Sequence, residues 1–249
     1  DHTYTVYSTN SFGGKELVLI PEMEAGTFTD AEGNPLEAQK CEYGYEVLVD
    51  VKPFAAVAVK FAPGAVVEEA TPFVLKGNVL ETPLYTIEWS ESGQLTKIYD
   101  KEAERNVLKE GQEGNVLEFF EDKPIDNDAW DIDIYYTLKQ PETAVLIAKP
   151  EILEVGNLRA VVRFCYNYRD SRIRQDMIVY KNSRRIDFKT HVDWKETNKL
   201  FKAAFYTDIR AVKATYDIQF GHVERPTHWN TGWDLARFEV CAHKWADIS

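Results

Sequence analysis

Period-two alternation of apolar and polar residues is the feature that most constrains this chain. The clearest example spans residues 185–194, where Ile186, Phe188, Val192 and Trp194 alternate with Asp187, Lys189, His191 and Asp193. Such alternation predicts a strand with one buried face and one solvent face. Further strand-like runs cover residues 4–7, 16–20, 45–51, 55–61, 85–89, 94–99, 158–168, 173–180, 201–206 and 214–220. Convincing amphipathic helices are absent, and residues 101–109 could form at most a short one.

Turn signals every eight to twelve residues or so separate these runs, which favours antiparallel β-sandwiches over a βαβ sheet. We therefore predict an all-β chain. Residues 1–70 are expected to form a small β unit and residues 71–249 a large antiparallel sandwich, joined by a linker at 66–72 that contains Glu68, Glu69 and Pro72. With 44% hydrophobic residues, the chain can bury a substantial core.

Composition excludes several classes of function. A formal charge of −12 argues against a nucleic-acid surface, which needs clustered cations. No apolar run approaches the roughly 18 residues of a membrane span. Cys41, Cys165 and Cys241 are odd in number, widely spaced and without a CxxC pair, which predicts neither a disulfide framework nor a zinc knuckle. They favour a reducing compartment, and we expect a cytoplasmic protein.

An acidic stretch at residues 121–133 could carry chemistry. If Asp131 to Tyr135 were a strand, Asp131 and Asp133 would share a face with Cα atoms roughly 6.5–7 Å apart. Inverting glycosidases separate their carboxyl groups by about 6.5–9.5 Å, so the spacing would permit a catalytic pair. Nothing in this spacing raises the pKa of one carboxyl group above that of the other, and an acid/base pair would need such a difference. Ligand contact and a solvated acidic turn remain the alternatives.

The closing residues, 220–249, concentrate aromatic and polar groups. Three of the five histidines (His222, His228, His243) and three of the six tryptophans (Trp229, Trp233, Trp245) lie here. Aromatic planes beside amides, carboxylates and guanidinium groups suit a sugar, although the aromatics could equally be core residues of an ordinary β domain. The histidine spacings match no compact zinc motif, so no metal site is predicted.

Three stretches together resemble a known family. They are LTKIYDKEAERNVL at 95–108, FEDKP at 120–124 with DAWDID at 128–133, and GHVERPTH at 221–228 with NTGWDLARFE at 230–239 and AHKWAD at 242–247. They resemble the C-terminal β region of glycoside hydrolase family 38 α-mannosidases, in the cytosolic/vacuolar and bacterial branch. The likeness covers residues 73–249 well and the first seventy loosely. This sequence has Gly232 at a position where the family tends to have Ser, and the glycine could loosen a local contact. It has Thr82 at a position where the family tends to have Asn.

The resemblance implies that the larger sandwich is a galactose-mutarotase-like supersandwich, incomplete at its C-terminus. It also implies a retaining, zinc-dependent parent enzyme that hydrolyses terminal α-mannosides. In that family the zinc and the nucleophilic Asp belong to an N-terminal α/β barrel, so no catalytic or metal residue is carried over to this chain. The sequence opens at Asp1 without Met and the family runs on beyond Ser249, so we expect both ends to be cut.

The resemblance also implies a role for particular residues. We expect the chain to brace the barrel of the same protein and to present polar side chains to the cleft that binds the α-mannoside. The candidates are Arg225, His228, Asn230, Trp233 and Asp234, with Trp130 and Asp131 as a second group. The alternatives are that these residues only hold the fold together, or that the chain is a free-standing carbohydrate-binding or purely structural module.

Overall fold

A computed structural model describes residues 2–66, 69–128 and 130–249 of the chain. The predicted linker at 66–72 falls partly outside the described residues, since Val67 and Glu68 are not among them. No helix in the described part of the chain is long and apolar enough to cross a membrane.

The regular structure is almost entirely antiparallel strand, which confirms the predicted all-β sandwich class. The first half contains β1 (His2–Tyr7), β2 (Gly14–Ile20), β3 (Gly26–Thr29), β4 (Pro35–Leu36), β5 (Ala38–Cys41), β6 (Gly44–Val51), β7 (Ala56–Pro63), β8 (Val74–Lys76), β9 (Val79–Glu81), β10 (Tyr85–Trp89), β11 (Leu95–Asp100), β12 (Arg105–Asn106) and β13 (Gly114–Glu121). The second half contains β14 (Glu142–Thr143), β15 (Val145–Leu146), β16 (Glu151–Val155), β17 (Arg159–Tyr168), β18 (Ser171–Tyr180), β19 (Ile186–Asp193), β20 (Lys199–Phe205), β21 (Lys213–Ile218), β22 (Gly221–Pro226) and β23 (Ala246–Asp247). A 3₁₀ helix spans Ile134–Leu138, and the short α1 spans Gly232–Leu235.

The described residues group into two compact units. The first takes them from 1–86, 148–165 and 173–191, and the second from 87–147, 166–172 and 192–249. The domain boundary predicted at 70/71 stays a prediction.

The first unit has two sheets that share a core. One has the strand order β1-β7-β3-β4 and the other β2-β6-β5. In β6, Val47, Val49 and Val51 lie on one face and are buried, as the alternation predicted. They pack with buried side chains of the other sheet, including Phe28 and Phe61. Side chains from two inner faces therefore build this core.

A partly buried polar cluster joins four strands of the first unit. The Arg159 guanidinium on β17 donates to Glu154 on β16 at 2.8 and 3.0 Å and to Glu46 on β6 at 2.5 Å. The Gln39 carbonyl on β5 accepts the N–H groups of Leu158 and Arg159, both at 2.9 Å. Only 15% of the Arg159 side chain is exposed.

Gly156 makes room for this cluster. A Cβ at this position would lie 2.0 Å from the side-chain amide carbon of Gln39. A larger residue would therefore push away the amide that receives the two backbone N–H groups.

We predict that Arg159→Met lowers the free energy of unfolding by about 3 kcal/mol, because it leaves two partly buried carboxylates without their cation. Urea denaturation followed by circular dichroism measures the loss. Arg174→Met, which removes an exposed arginine of β18, is the matched control and should change stability by less than about 0.5 kcal/mol. Equal losses for the two variants would contradict the importance of the cluster.

The second unit is built around β13. Strands β10, β11, β13 and β14 lie side by side in this order, and β20 also pairs with β13. A tight turn at residues 90–93 joins β10 to β11, since the Ser90 N–H donates to the Gln94 carbonyl at 2.8 Å and Gly93 adopts a left-handed φ of 86°. On β13, the ring of Phe119 stacks on Tyr168 with centroids 3.7 Å apart and on Phe201 at 4.7 Å.

Strands β8, β9 and β12 belong to the same sheet as β13, and eight further strands form two smaller sheets. One has the order β15-β17-β18-β19 with β16 also beside β17, and another has the order β22-β21-β23. Strands β17, β18 and β19 confirm the strand-like runs predicted at 158–168, 173–180 and 185–194, although no residue of β19 is fully buried. The helix considered for 101–109 is wrong, because these residues form turns and β12.

Candidate functional site

Arg225 lies on β22 and is held by groups of its own unit. Its guanidinium carbon lies 4.8 Å from the centre of the Tyr216 ring, and its Nη1 donates to the Cys241 carbonyl at 3.1 Å. β22 pairs with β21, which places Arg225 opposite Ala214. A cation over an aromatic face is stabilised by the ring quadrupole, so the position of Arg225 is well defined.

The segment after β22 is shaped by a capping box on α1. The Thr231 hydroxyl accepts the Asp234 N–H at 3.2 Å, and the Asp234 carboxylate accepts from the Thr231 N–H at 3.1 Å and from its hydroxyl at 2.8 Å. His228 Nδ1 lies 3.7 Å from Asp234 Oδ2. Reciprocal capping satisfies backbone donors that a one-turn helix would otherwise leave open. The carboxylate of Asp234 is thus engaged in the turn, with His228 beside it.

The predicted residues next to this box project outward. The side chains of Asn230 and Trp233 are exposed, Trp233 to 79%. A Cβ at Gly232 would meet no atom within 4 Å. The Ser that the family tends to carry here would therefore fit without displacing a neighbour.

Trp130 and Asp131, the second predicted group, follow a tight turn rather than lying on a strand. Their N–H groups both donate to the Asn127 carbonyl, at 2.8 and 3.1 Å, and Asn127 has a left-handed φ of 55°. The Trp130 side chain is 87% exposed. The strand assumed for Asp131 to Tyr135 is wrong, because the 3₁₀ helix begins at Ile134.

This correction removes the basis for a catalytic carboxylate pair. One Asp133 oxygen accepts the Ile125 N–H at 2.8 Å, so this carboxylate closes the acidic loop. The separation expected for Asp131 and Asp133 assumed an extended backbone and does not apply.

A cluster of Tyr136, Lys202 and Glu239 ties the 3₁₀ helix to the closing residues. The Tyr136 hydroxyl and the Lys202 ammonium each donate to the Glu239 carboxylate, and Lys202 also donates to the Tyr136 hydroxyl at 2.7 Å. Phe120 packs edge-on against the Tyr136 ring with centroids 5.0 Å apart. Sequence reasoning missed this cluster because its members lie 37 to 103 positions apart and share no motif.

Burial raises the pKa of Tyr136, and its hydrogen bond to Glu239 raises it further. Desolvation alone would lower the pKa of Lys202, but hydrogen bonds to Glu239 and Tyr136 outweigh it and the pKa is raised. Lys202 therefore stays charged across the physiological range and holds the two segments on β20.

Comparison with known proteins decides the family. Residues 80–249, more than half the chain, match the model of the glycosyl hydrolases family 38 C-terminal domain. The chain belongs to this family.

The curated relatives are longer proteins. Alpha-mannosidase G of Dictyostelium discoideum is 42% identical over 180 residues, which make up 70% of this chain and 16% of that protein. Alpha-mannosidase 2C1 of Homo sapiens is 34% identical over 171 residues, which make up 68% of this chain and 16% of that protein. The family 38 chain thus spans about one sixth of the length of these relatives.

Solved structures share the fold. A glycosyl hydrolase family 38 protein from Enterococcus faecalis superposes with a TM-score of 0.67 over 90% of this chain and 35% of its own, at 14% identity. An α-mannosidase from Enterococcus faecalis V583 gives the same score over 94% and 34%, at 13% identity. At such identities the likeness shows the fold alone.

A cavity of about 320 Å³ lies beside the acidic stretch of the family 38 domain, lined partly by Glu121, Asp122, Tyr136 and Lys139. Hydrogen bonds from Lys123 and Lys139 lower the pKa of Glu121 to about 2. Burial raises the pKa of the neighbouring Asp122, and nearby aspartates raise it further. The pKa values of two adjacent carboxyl groups are thus shifted in opposite directions. The lysines lower that of Glu121, and burial raises that of Asp122.

The described residues of the family 38 domain do not fit a zinc site. Within 2–66, 69–128 and 130–249, no three His, Cys, Asp or Glu side chains are grouped so that they could hold a metal ion. A zinc ion would thus find no set of ligands among these residues, and no reaction step in this domain is assigned to it.

We predict that Lys139→Gln raises the pKa of Glu121 from about 2 toward the ordinary value of 4.5, because one of its two cations is lost. A carboxyl whose pKa is lowered in the folded state adds stability above about pH 4.5, and this contribution is lost as the pH falls toward 2. NMR titration of the side-chain carboxyl carbons measures the shift. Lys149→Gln, an exposed lysine elsewhere, is the control, and an unmoved Glu121 in Lys139→Gln would refute the prediction.

Proposed function

We propose that this chain is the non-catalytic C-terminal β portion of a retaining, zinc-dependent α-mannosidase. The family match over residues 80–249, with relatives named α-mannosidases, carries the proposal. The chain braces the catalytic barrel of the same protein and lends side chains to the cleft for a terminal α-mannoside. Zinc and the nucleophilic carboxylate come from the rest of that protein, and retaining glycosidases use such a carboxylate to form a covalent glycosyl-enzyme.

We propose that the seven candidate residues divide into two roles. Arg225 and Asp234 already have internal partners, so they position the segment. The exposed side chains of His228, Asn230 and Trp233 contact the sugar, and Trp130 and Asp131 extend the same wall. An exposed aromatic plane beside hydrogen-bonding groups suits the apolar face and hydroxyls of a mannose ring.

The cellular setting is also part of the proposal. Cys41, Cys165 and Cys241 are all free thiols in the structure. Free thiols are typical of a reducing compartment, and a cytoplasmic location is proposed on this basis. A basic nucleic-acid surface is not expected at a net charge of −12.

A free-standing carbohydrate-binding module is the second candidate, favoured by the exposure of Trp130 and Trp233. Such a module would bind mannose without the barrel, whereas the main proposal requires both parts.

In the longer protein that contains this chain, we predict that Trp233→Ala lowers kcat/KM for an aryl α-mannoside about tenfold, which corresponds to about 1.4 kcal/mol. Phe12→Ala is the control, since Phe12 is a similarly exposed aromatic in the first unit, outside the residues that the family model matches. A change of less than about threefold for Trp233→Ala would place this ring outside the cleft.

A pair of variants separates substrate contact from capping at Asp234. Thr231→Ala and Asp234→Ala both break the capping box, at a cost of about 1 kcal/mol in local stability. Only Asp234→Ala also removes the carboxylate beside His228. Under the positioning role proposed for Asp234, both variants lower kcat/KM by the same factor within about threefold; a much larger loss for Asp234→Ala would show direct contact with the sugar.

The chain alone should neither hydrolyse an aryl α-mannoside nor bind mannose with a Kd below about 10 mM, because the barrel supplies most of the cleft. Calorimetric titration with mannose and mannobiose tests this. Millimolar or tighter binding would support the free-standing module instead.

A further inference from the structure

A second cavity lies within the first unit, and none of the seven candidate residues lines it. Its volume is about 540 Å³, and it opens beside the turn that joins β18 to β19. Pockets for small molecules commonly measure about 300–1,000 Å³. The family likeness and the proposed function assign nothing to this place, so a ligand bound in it would be independent of both.

One wall of this cavity is apolar. Leu17 on β2 and Leu48 on β6 are cross-strand partners, and both are half-buried. The neighbouring Val47 and Val49 point into the core, so Leu48 points to the opposite face of the sheet. Leu158, which is buried, completes this surface. A pair of leucines on the outer face of a sheet offers a surface for the carbon skeleton of a ligand.

The other wall is rich in hydrogen-bond donors. Lys15 projects from β2, and Lys181, Asn182, Ser183 and Arg185 belong to the turn. Ten of the described residues line the cavity, and Glu16 is the one acidic residue among these ten. The lining therefore carries three cations and one anion in a chain with a net charge of −12.

Two of these cations are fixed in place by carboxylates behind them. Lys181 pairs with Glu37 at 2.5 Å, and Arg185 pairs with Asp187 at 2.7 Å. An ammonium has three N–H donors and a guanidinium five, so both retain donors for a ligand. The Lys15 side chain makes no hydrogen bond or ion pair with any of the described residues.

We propose that this cavity binds a small oxyanion-bearing molecule of sugar-phosphate size. Lys15, Lys181 and Asn182 donate to the oxyanion, and the carbon skeleton lies on Leu17 and Leu48. Neutral sugar hydroxyls need acceptors as well as donors, whereas phosphate and carboxylate groups only accept. Asn182 and Ser183 can donate or accept, but the three cations of the lining only donate, so the lining matches an anion better than a neutral sugar. Charge-assisted hydrogen bonds of this kind are about twice as strong as neutral ones.

Calorimetric titration of the chain tests the proposal with four probes: inorganic phosphate, a hexose 6-phosphate, a hexuronate and the neutral hexose. We expect saturable binding of the hexose 6-phosphate or the hexuronate, weaker binding of inorganic phosphate and none of the hexose. The better of the two charged sugars identifies the oxyanion. Affinity should fall as salt is raised from about 0.05 to 0.5 M, because screening weakens exposed charges.

Two variants locate the site. Lys15→Gln should weaken binding about five- to tenfold, and Asn182→Asp, which adds a negative charge at nearly constant volume, should abolish it. Both side chains are exposed and lack a hydrogen-bond partner among the described residues, so the fold should tolerate either change. Lys149→Gln removes an exposed lysine of the same unit outside the cavity and should leave affinity within about twofold. The proposal is overturned if no charged probe binds below about 50 mM, if the neutral hexose binds as well, or if Lys149→Gln has the same effect as Lys15→Gln.

Discussion

The first unit depends on one guanidinium. Arg159 binds Glu46 and Glu154 together, and these acids belong to different strands. Three partly buried charges cost desolvation energy, which close charge-assisted contacts offset only while all partners are present. Such a cluster favours the strand arrangement in which one guanidinium meets both acids. Apolar contacts alone are less selective, since one valine face packs on many others.

In the second unit, too, a single cation binds groups from separate segments. Lys202 on β20 binds both Tyr136 from the 3₁₀ helix and Glu239 from the closing residues. Its ammonium also lies 4.5 Å from the centre of the Tyr136 ring. A cation that meets a carboxylate, a hydroxyl and an aromatic face fixes both segments in register. Strand β20, which pairs with β13, therefore holds both segments in place.

The local sequence pattern predicted the strands, whereas the contacts of the loops depend on residues far apart in the sequence. The strand at β6 was readable because its alternation depends only on neighbours in sequence. The stretch from Asp131 to Ile134 also alternates, yet Asp133 accepts the Ile125 N–H and the chain curls into a 3₁₀ helix instead. A side-chain acceptor that competes for backbone donors overrides the alternation. The sequence around Tyr136 gives no indication that its hydroxyl binds Glu239, 103 positions away.

The candidate residues differ in whether they have hydrogen-bond partners within the chain. A carboxylate that already accepts two bonds from Thr231 has less capacity for a sugar than an exposed indole has. Groups with internal partners lose little freedom when a ligand arrives, so they can hold neighbouring side chains in place before binding. Arg225 and Asp234 fit that role, and Trp233 has the free surface that contact requires. A motif match names all of them together, whereas the hydrogen bonds separate the residues that shape the wall from those that could touch substrate.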